Sequence, residues 1–187
     1  MTILGKNKVI LIGLGSNLSG EEFDSPKAVL EAALAEMAGC DIVVTQLSRF
    51  YQSEPVPASD QPWFVNAVAA VETDLSADSL LKRLHEIEAT LGRQRRVRWE
   101  ARVIDLDILA FHDQILPSAA KWSESGQNIA AKEIVIPHPR LHERLFVLKP
   151  LSDICPDWTH PVIGKSVRDF MATVEKQADQ GIIRPFD

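Results

Sequence analysis

The chain has 187 residues, 45% of them hydrophobic and 25% charged, with a formal net charge of −6. That length suits one domain with a real core, and the composition is that of a soluble, globular fold. The negative balance argues against a general nucleic-acid binder, so any basic cluster is a local feature with a local cause.

The N-terminal "MTILGKNKVILIGLGSNL" holds an apolar run too short for a secretory leader, and Gly and Asn interrupt it. No stretch approaches the ~20 apolar residues that span a bilayer. The cytoplasm is the expected compartment. Cys40 and Cys155 fit no C-x-x-C pattern and are expected to be reduced core thiols.

Lys8–Asn17 is β-branched and apolar and then breaks at Gly15-Ser16-Asn17, which predicts a buried strand ending in a turn. Ser25-Pro26 opens a helix, apolar residues recur at helical spacing from Ala28 to Met37, and Gly39 stops it. Asp41–Val56, rich in Val, Ile, Thr and aromatics, predicts one long strand, and Phe64–Leu75 its hairpin partner. Ser76 is positioned to cap a helix whose Leu80, Leu81, Leu84, Ile87 and Leu91 share a face, with Gly92 past its end. Val103–Phe111 is the last predicted strand of the core. His112–Glu133 is polar and small and predicts a loop or irregular hairpin. A short strand, a Pro-rich turn and two or three short helices are expected after it.

The order β-α-β-β-α-β predicts an α+β fold of the ferredoxin-like class: an antiparallel sheet with two helices packed on one face, plus short C-terminal helices. No repeat or low-complexity linker divides the chain. A single domain over 1–187 is expected, with a surface insertion at about 117–133.

The chemistry concentrates in "RRVRWEARVIDLDILAF", Arg95–Phe111. Strand residues i and i+2 share a face. Asp105 and Asp107 would thus stand side by side while Ile104, Leu106 and Ile108 enter the core. Adjacent carboxylates repel unless a cation relieves them. Hard oxygen ligands at that spacing suit Mg²⁺, which fills its other positions with water and phosphate. The alternative is a solvated strand face. Arg93, Arg95, Arg96, Arg98 and Arg102 supply guanidinium forks that bind phosphate bidentately; otherwise they are a solubilising surface loop. Trp99, among them, could cover the site against water.

His138, in "IPHPRLHER", and Arg144 add cationic or hydrogen-bonding groups suited to a phosphoryl centre. Zinc at His138 and His142 is disfavoured, because the prolines fit a helix poorly and H-E-x-x-H is absent. "GLGSNL" lacks the third glycine of a dinucleotide loop, and "GKS" at Gly164–Ser166 lacks the earlier glycine of a P-loop. Asn66, on an apolar strand, offers the paired donor and acceptor that a pterin or purine edge requires. Phe64 and Phe146 could stack a flat heterocycle. Each of these three is otherwise an ordinary core residue.

These stretches together resemble the 6-hydroxymethyl-7,8-dihydropterin pyrophosphokinases. The resemblance rests on "GLGSNL", "SRFYQSEPV", "DQPWFVNAV", "LHEIEATLGR", "RWEARVIDLDIL" and "IPHPRLHERLFVLKPL". It implies a ferredoxin-like fold and transfer of pyrophosphate from ATP to the pterin hydroxymethyl group, with release of AMP, in folate biosynthesis. It implies two Mg²⁺ ions at Asp105 and Asp107, phosphate clamping by Arg93 and Arg102, and a mobile loop carrying Trp99. It further implies nucleotide contacts from His85, Glu88, Ile108, His138 and Arg144. The pterin would be read by Asn66, sandwiched by Phe64 and Phe146, and met by backbone near Ser53 and Val56. The implied partners are the small-molecule pterin and ATP, with no nucleic acid or membrane, and the implied state is a monomer or weak dimer.

Three departures stand out. Glu100-Ala101 replaces the Gly-Pro that the family carries between the Trp and the second Arg. Pro139 stands where some members have Tyr. Lys121–Glu133 is longer than the family pattern. The rivals are an RNA-binding ferredoxin-like module, which would need surface aromatics not found here, and an ordinary kinase or phosphohydrolase. Physical reasoning from sequence does not separate transfer of one phosphoryl group from transfer of two.

Overall fold

A computed structural model describes residues 8–92, 102–125, 134–177 and 179–186. Strand β1 (Ile10–Ser16) is followed by helix α1 (Pro26–Ala38), β2 (Val43–Leu47), β3 (Tyr51–Ser53), β4 (Phe64–Glu72), α2 (Ala77–Thr90) and β5 (Asp105–Phe111). Then come α3 (Ala119–Ser125), a 3₁₀ turn (Leu141–Glu143), α4 (Leu145–Ile154), α5 (Val167–Val174) and β6 (Ile183–Pro185). The sheet is antiparallel in the order β5-β1-β4-β3-β6, with β2 also paired to β4. The α+β core matches the predicted class.

The caps fall where the side chains predict. Ser25 accepts the amide of Ala28 with Pro26 behind it, and Ser76 accepts the amide of Ser79. Gly92 takes a φ of +88° after α2, a conformation that costs a Cβ-bearing residue.

The layers differ from expectation. Ile10, Ile12 and Leu14 of β1 face α1 and α2, in a core with Leu30, Met37, Leu80, Leu84, Leu106 and Ile108. The opposite face is covered as well. Leu11, Val68, Ala70 and Leu109 pack there with Leu148 and Leu151 of α4 and Val167 and Phe170 of α5. The short helices are thus a third layer, and both sheet faces are apolar.

The predicted long strand is two strands. The register of β2 on β4 shifts between Val44 and Gln46, and a further residue is gained before Tyr51 pairs with Asn66. Such bulges bend a strand without ending its pairing. Strand β6 had no forecast; three residues are too few for a periodic signal. The stretch expected as a loop or irregular hairpin has an isolated antiparallel bridge between Leu116 and Ile136 and also holds α3, whose Trp122 is buried and donates its indole N–H to Pro137 O at 2.6 Å. A single docking aromatic fixes that helix, and periodicity does not reveal it. Cys40 and Cys155 are free thiols, half-buried against the two cores.

Candidate active site

The site lies on the α4 face of the sheet, at the end where β1 finishes and β5 begins. Strand alternation sends Leu106 and Ile108 into the α1–α2 core and leaves Asp105 and Asp107 half-buried on the other side. Across the sheet, Gly15 of β1 pairs with Asp105 and Gly13 with Asp107. The same two glycines pair on their other side with Asn66 and Val68 of β4. A row therefore runs Asp105, Gly15, Asn66, Tyr51 over four strands. Its second position has no side chain, which leaves a bare floor between the carboxylates and the amide. The "GLGSNL" stretch is no dinucleotide loop; its second glycine, Gly15, makes this floor, while Leu109 packs over Gly13, 3.2 Å from where a Cβ there would stand. Sequence reasoning missed the role; a glycine inside a strand was the available signal.

Asn66 is buried, and its Nδ2 donates to Ser53 Oγ at 2.8 Å. Its Oδ1 lies on the Gly15 side, 3.4 Å from where a Cβ on that glycine would stand. The Ser53 hydroxyl thereby orients the Asn66 amide. Phe64 begins β4 on the same face as Asn66, half-buried. Phe146 sits in the first turn of α4, with the Arg144 guanidinium 5.5 Å from its ring centre. Val56 borders a cleft of about 530 Å³ that Arg140, His142, Arg144 and Lys165 also line.

The carboxylates have cationic company. Arg102 Nη1 donates to Asp105 Oδ2. Its backbone is clamped by Asn17, whose Oδ1 accepts the Arg102 amide at 2.7 Å and whose amide N donates to Arg102 O at 3.1 Å. Burial, and then Arg140, lower the Arg144 pKa, while Asp107 and Asp105 pull it back up. The field of the Asp pair thus reaches Arg144. Burial first and Arg144 second push His138 down to about 4, against an upward pull from Asp105. His138 is neutral at pH 7. Its Nδ1 accepts the Arg140 amide at 3.2 Å, which puts the ring proton on Nε2.

Behind β5, the buried Glu88 of α2 accepts the Leu106 amide at 2.8 Å. His85, half-buried, precedes it by one turn on the same helix face. The Ile108 side chain is 5% exposed and belongs to the core, so only its backbone can meet a ligand. Since the Leu106 amide faces away from β1, alternation turns the Ile108 amide to the same free edge. Arg93, Trp99 and the Glu100-Ala101 pair lie outside the described residues.

The floor is buttressed by a group that sequence reasoning did not single out. Tyr51 O–H meets Asp153 of α4 at 3.0 Å, and Arg49 Nη2 donates to the Tyr51 oxygen and to Asp153, each at 2.7 Å. Burial leads in pushing Tyr51 up to about 12.

Among the described residues no group of three or more His, Cys, Asp or Glu gathers round one point. Two carboxylates beside a bare floor are the protein's donor set here. They fit Mg²⁺, which takes few protein ligands and shares itself with phosphate, and do not make a closed all-protein cage.

Comparison with known proteins gives the chain a family. The model for 7,8-dihydro-6-hydroxymethylpterin-pyrophosphokinase matches residues 11–156. A 2-amino-4-hydroxy-6-hydroxymethyldihydropteridine pyrophosphokinase of Bacillus subtilis is 39% identical over 149 residues, covering 80% of this chain and 79% of that protein. One from Methylorubrum extorquens is 36% identical over 165 residues, 88% of this chain and 92% of its own. The folic acid synthesis protein fol1 of Pneumocystis carinii is 38% identical across 96% of this chain, which spans only 22% of that longer protein. In fold, the wild-type HPPK-DHPS of Plasmodium falciparum superposes with a TM-score of 0.65 at 14% identity, over 95% of this chain and 48% of that one. The chain belongs to the 7,8-dihydro-6-hydroxymethylpterin-pyrophosphokinase family and is a pyrophosphokinase of folate biosynthesis.

Proposed function

We propose that the chain moves the β,γ-pyrophosphoryl unit of ATP onto the hydroxymethyl group of 6-hydroxymethyl-7,8-dihydropterin and releases AMP, with the two substrates meeting over the Gly15 floor. The observation that carries this arrangement is the row Asp105, Gly15, Asn66. It puts a carboxylate and a buried amide on one face, with only the Gly15 backbone between them, which supports a metal at the first and a heterocycle at the second.

Asp105 and Asp107 are the residues to hold Mg²⁺, two ions in this assignment. When bound, magnesium neutralises the triphosphate and lowers the pKa of a coordinated hydroxyl. The chain's own residues position and screen, as such transfers require. Arg102 exchanges Asp105 for a phosphate oxygen. Arg144 supplies a second cation, desolvated and therefore strongly felt. His138 gives a neutral Nε2–H donor and adds no charge. Glu88 holds β5 in register from behind, and the free-edge amide of Ile108, with His85, serves the nucleotide base. Asn66, fixed by Ser53, offers Oδ1 to a pterin N–H, with Phe64, Phe146 and Val56 around the ring. Arg93 and Trp99 keep the clamping and covering roles that the family pattern gives them.

The chain is read as one domain, with α3 and its flanks as a surface addition. No helix among the described residues is long and apolar enough to cross a membrane. A cytoplasmic monomer or weak dimer accords with two free thiols and with β6 covering the edge of β3.

The test is a product assay with ATP, Mg²⁺ and the hydroxymethyl pterin. AMP and pterin diphosphate should appear together; ADP in place of AMP overturns the assignment. Asp107→Ala should abolish turnover with the fold intact, and near-normal activity would remove the metal role from that residue.

A further inference from the structure

One segment outside the matched residues 11–156 joins the two walls of the proposed pterin cleft. Helix α4 has no side-chain cap of its own; Arg144 stands at its N-cap and makes no such bond. The first amide of the helix, Leu145 N–H, is instead taken by Gln180 Oε1 at 2.9 Å. An unpaired amide at a helix start is costly when buried, so this bond fixes where the Phe146 turn sits. Two residues later the same segment meets the other wall. Ile182 N–H donates to Glu54 Oε2 at 2.8 Å, and Ile182 O accepts the Glu54 amide at 3.0 Å. Ile183 then pairs with Ser53, the residue that orients Asn66. Arg184 pairs with Gln52, donates Nε to its side chain at 3.2 Å, and lies 4.9 Å from the ring centre of Trp63, the neighbour of Phe64.

Gly181 makes the turn between these two attachments. Its φ is +67°, and a Cβ there would stand 3.3 Å from Glu54 Cβ and 3.6 Å from Val56 Cγ2. Both the backbone conformation and the close approach call for glycine.

We propose that Gln180–Arg184 is a strap that fixes the separation of the Phe64 and Phe146 walls, and that Gln180 and Arg184 are positioning residues for the flat heteroaromatic substrate. The proposal rests on the assignment of that aromatic pair as the stacking pair. Dispersion makes separation matter: a gap of ~0.5–1 Å forfeits about a quarter to a half of the contact energy. No bond of the strap goes to a group assigned to triphosphate; its nearest approach is the Leu145 amide next to Arg144, so its loss should fall more heavily on the pterin than on ATP.

The experiment compares wild type with Gln180→Ala, Arg184→Ala, the double variant, Gly181→Val and the conservative Gln180→Glu, which keeps an acceptor at the helix start. KM for each substrate, kcat, equilibrium binding of the hydroxymethyl pterin and melting temperature are measured. In the double variant and Gly181→Val, pterin KM should rise about tenfold while ATP KM stays within about twofold. Gln180→Glu should behave as wild type. A fall in melting temperature with unmoved pterin KM, or equal rises for both substrates, overturns the strap. Wild type that binds no pterin overturns the aromatic-pair assignment itself, and the strap with it.

Discussion

Glu88 Oε1 accepts the amide of Leu106, the residue between Asp105 and Asp107, at 2.8 Å from a carboxylate only 1% exposed. A buried helix side chain thereby sets the height of the strand that carries both aspartates. Glu88→Leu removes the acceptor and strands that amide, at a cost of about 1–3 kcal/mol. The melting temperature should drop by roughly 3–10 °C at this chain length, with kcat falling more steeply than stability. Glu88→Gln keeps an acceptor and should stay near wild type in melting. Equal kcat in Glu88→Leu and wild type would show that β5 holds its place without this bond.

The glycine floor makes a second, separable claim. A Cβ at Gly15 would stand 3.4 Å from Asn66 Oδ1, close to ordinary contact, so the sheet can accept a side chain there. The space it fills is the one proposed for the reacting groups. Gly15→Val should keep its melting temperature within about 5 °C of wild type, since β-branched residues suit strands, yet lose at least about a hundredfold in turnover. Retained turnover would move the meeting point of the substrates off the floor.

Much of this was legible in the chain. Asp105 and Asp107 share a face because strand period is two, and Ser25, Ser76, Gly39 and Gly92 mark helix ends by local chemistry alone. The illegible parts depend on contacts between distant segments. Nothing near Gln180 in the chain announces that it caps α4, 35 positions back. The split of the long strand needs its partner's register to be seen. The nucleotide contact that the resemblance implies at Ile108 falls to its backbone, because alternation sends the side chain into the core. The bare backbone at Gly15 is illegible for a related reason: a strand glycine does not announce its neighbours until Asp105 and Asn66 are set beside it in register.

Acid should loosen the molecule through a histidine away from the floor. His160 is fully buried among Trp122, His142, Trp158 and Phe170. Burial first, then His142, push its pKa down to about 4. Its Nδ1 accepts the amides of Val162 and Ile163 at 3.2 and 3.3 Å, which the charged ring could not do. The unfolded chain, titrating near 6.5, binds the proton first, so stability is full above ~6.5 and is lost as pH falls toward ~4. The loss amounts to about 3 kcal/mol as an upper figure. Urea unfolding at pH 7 and pH 5 should show it. His160→Asn, whose Oδ1 can replace Nδ1, should flatten that slope; an unchanged slope would place the acid sensitivity elsewhere.

Asn17 ties the two proposed substrate regions together from the end of β1, and its two sets of bonds can be cut apart. It is 2% exposed. Oδ1 accepts the Arg102 amide at 2.7 Å, on the side proposed for the triphosphate. Nδ2 donates to Gln61 Oε1 and to Pro62 O, both at 3.2 Å, in the loop that leads to Trp63 and Phe64. Asn17→Ala cuts both ties, so KM should rise for ATP and for pterin. Asn17→Asp keeps the acceptor for Arg102 but sets a carboxylate oxygen against Pro62 O. The Gln61 amide can rotate to donate, whereas the Pro62 carbonyl has no such option. Asn17→Asp should therefore raise pterin KM several-fold and leave ATP KM near wild type. A buried carboxylate has its own desolvation cost, so both assays belong well below the variant's melting temperature. Equal rises for the two substrates in Asn17→Asp would mean that the residue acts as a single brace, with no division of labour between Oδ1 and Nδ2.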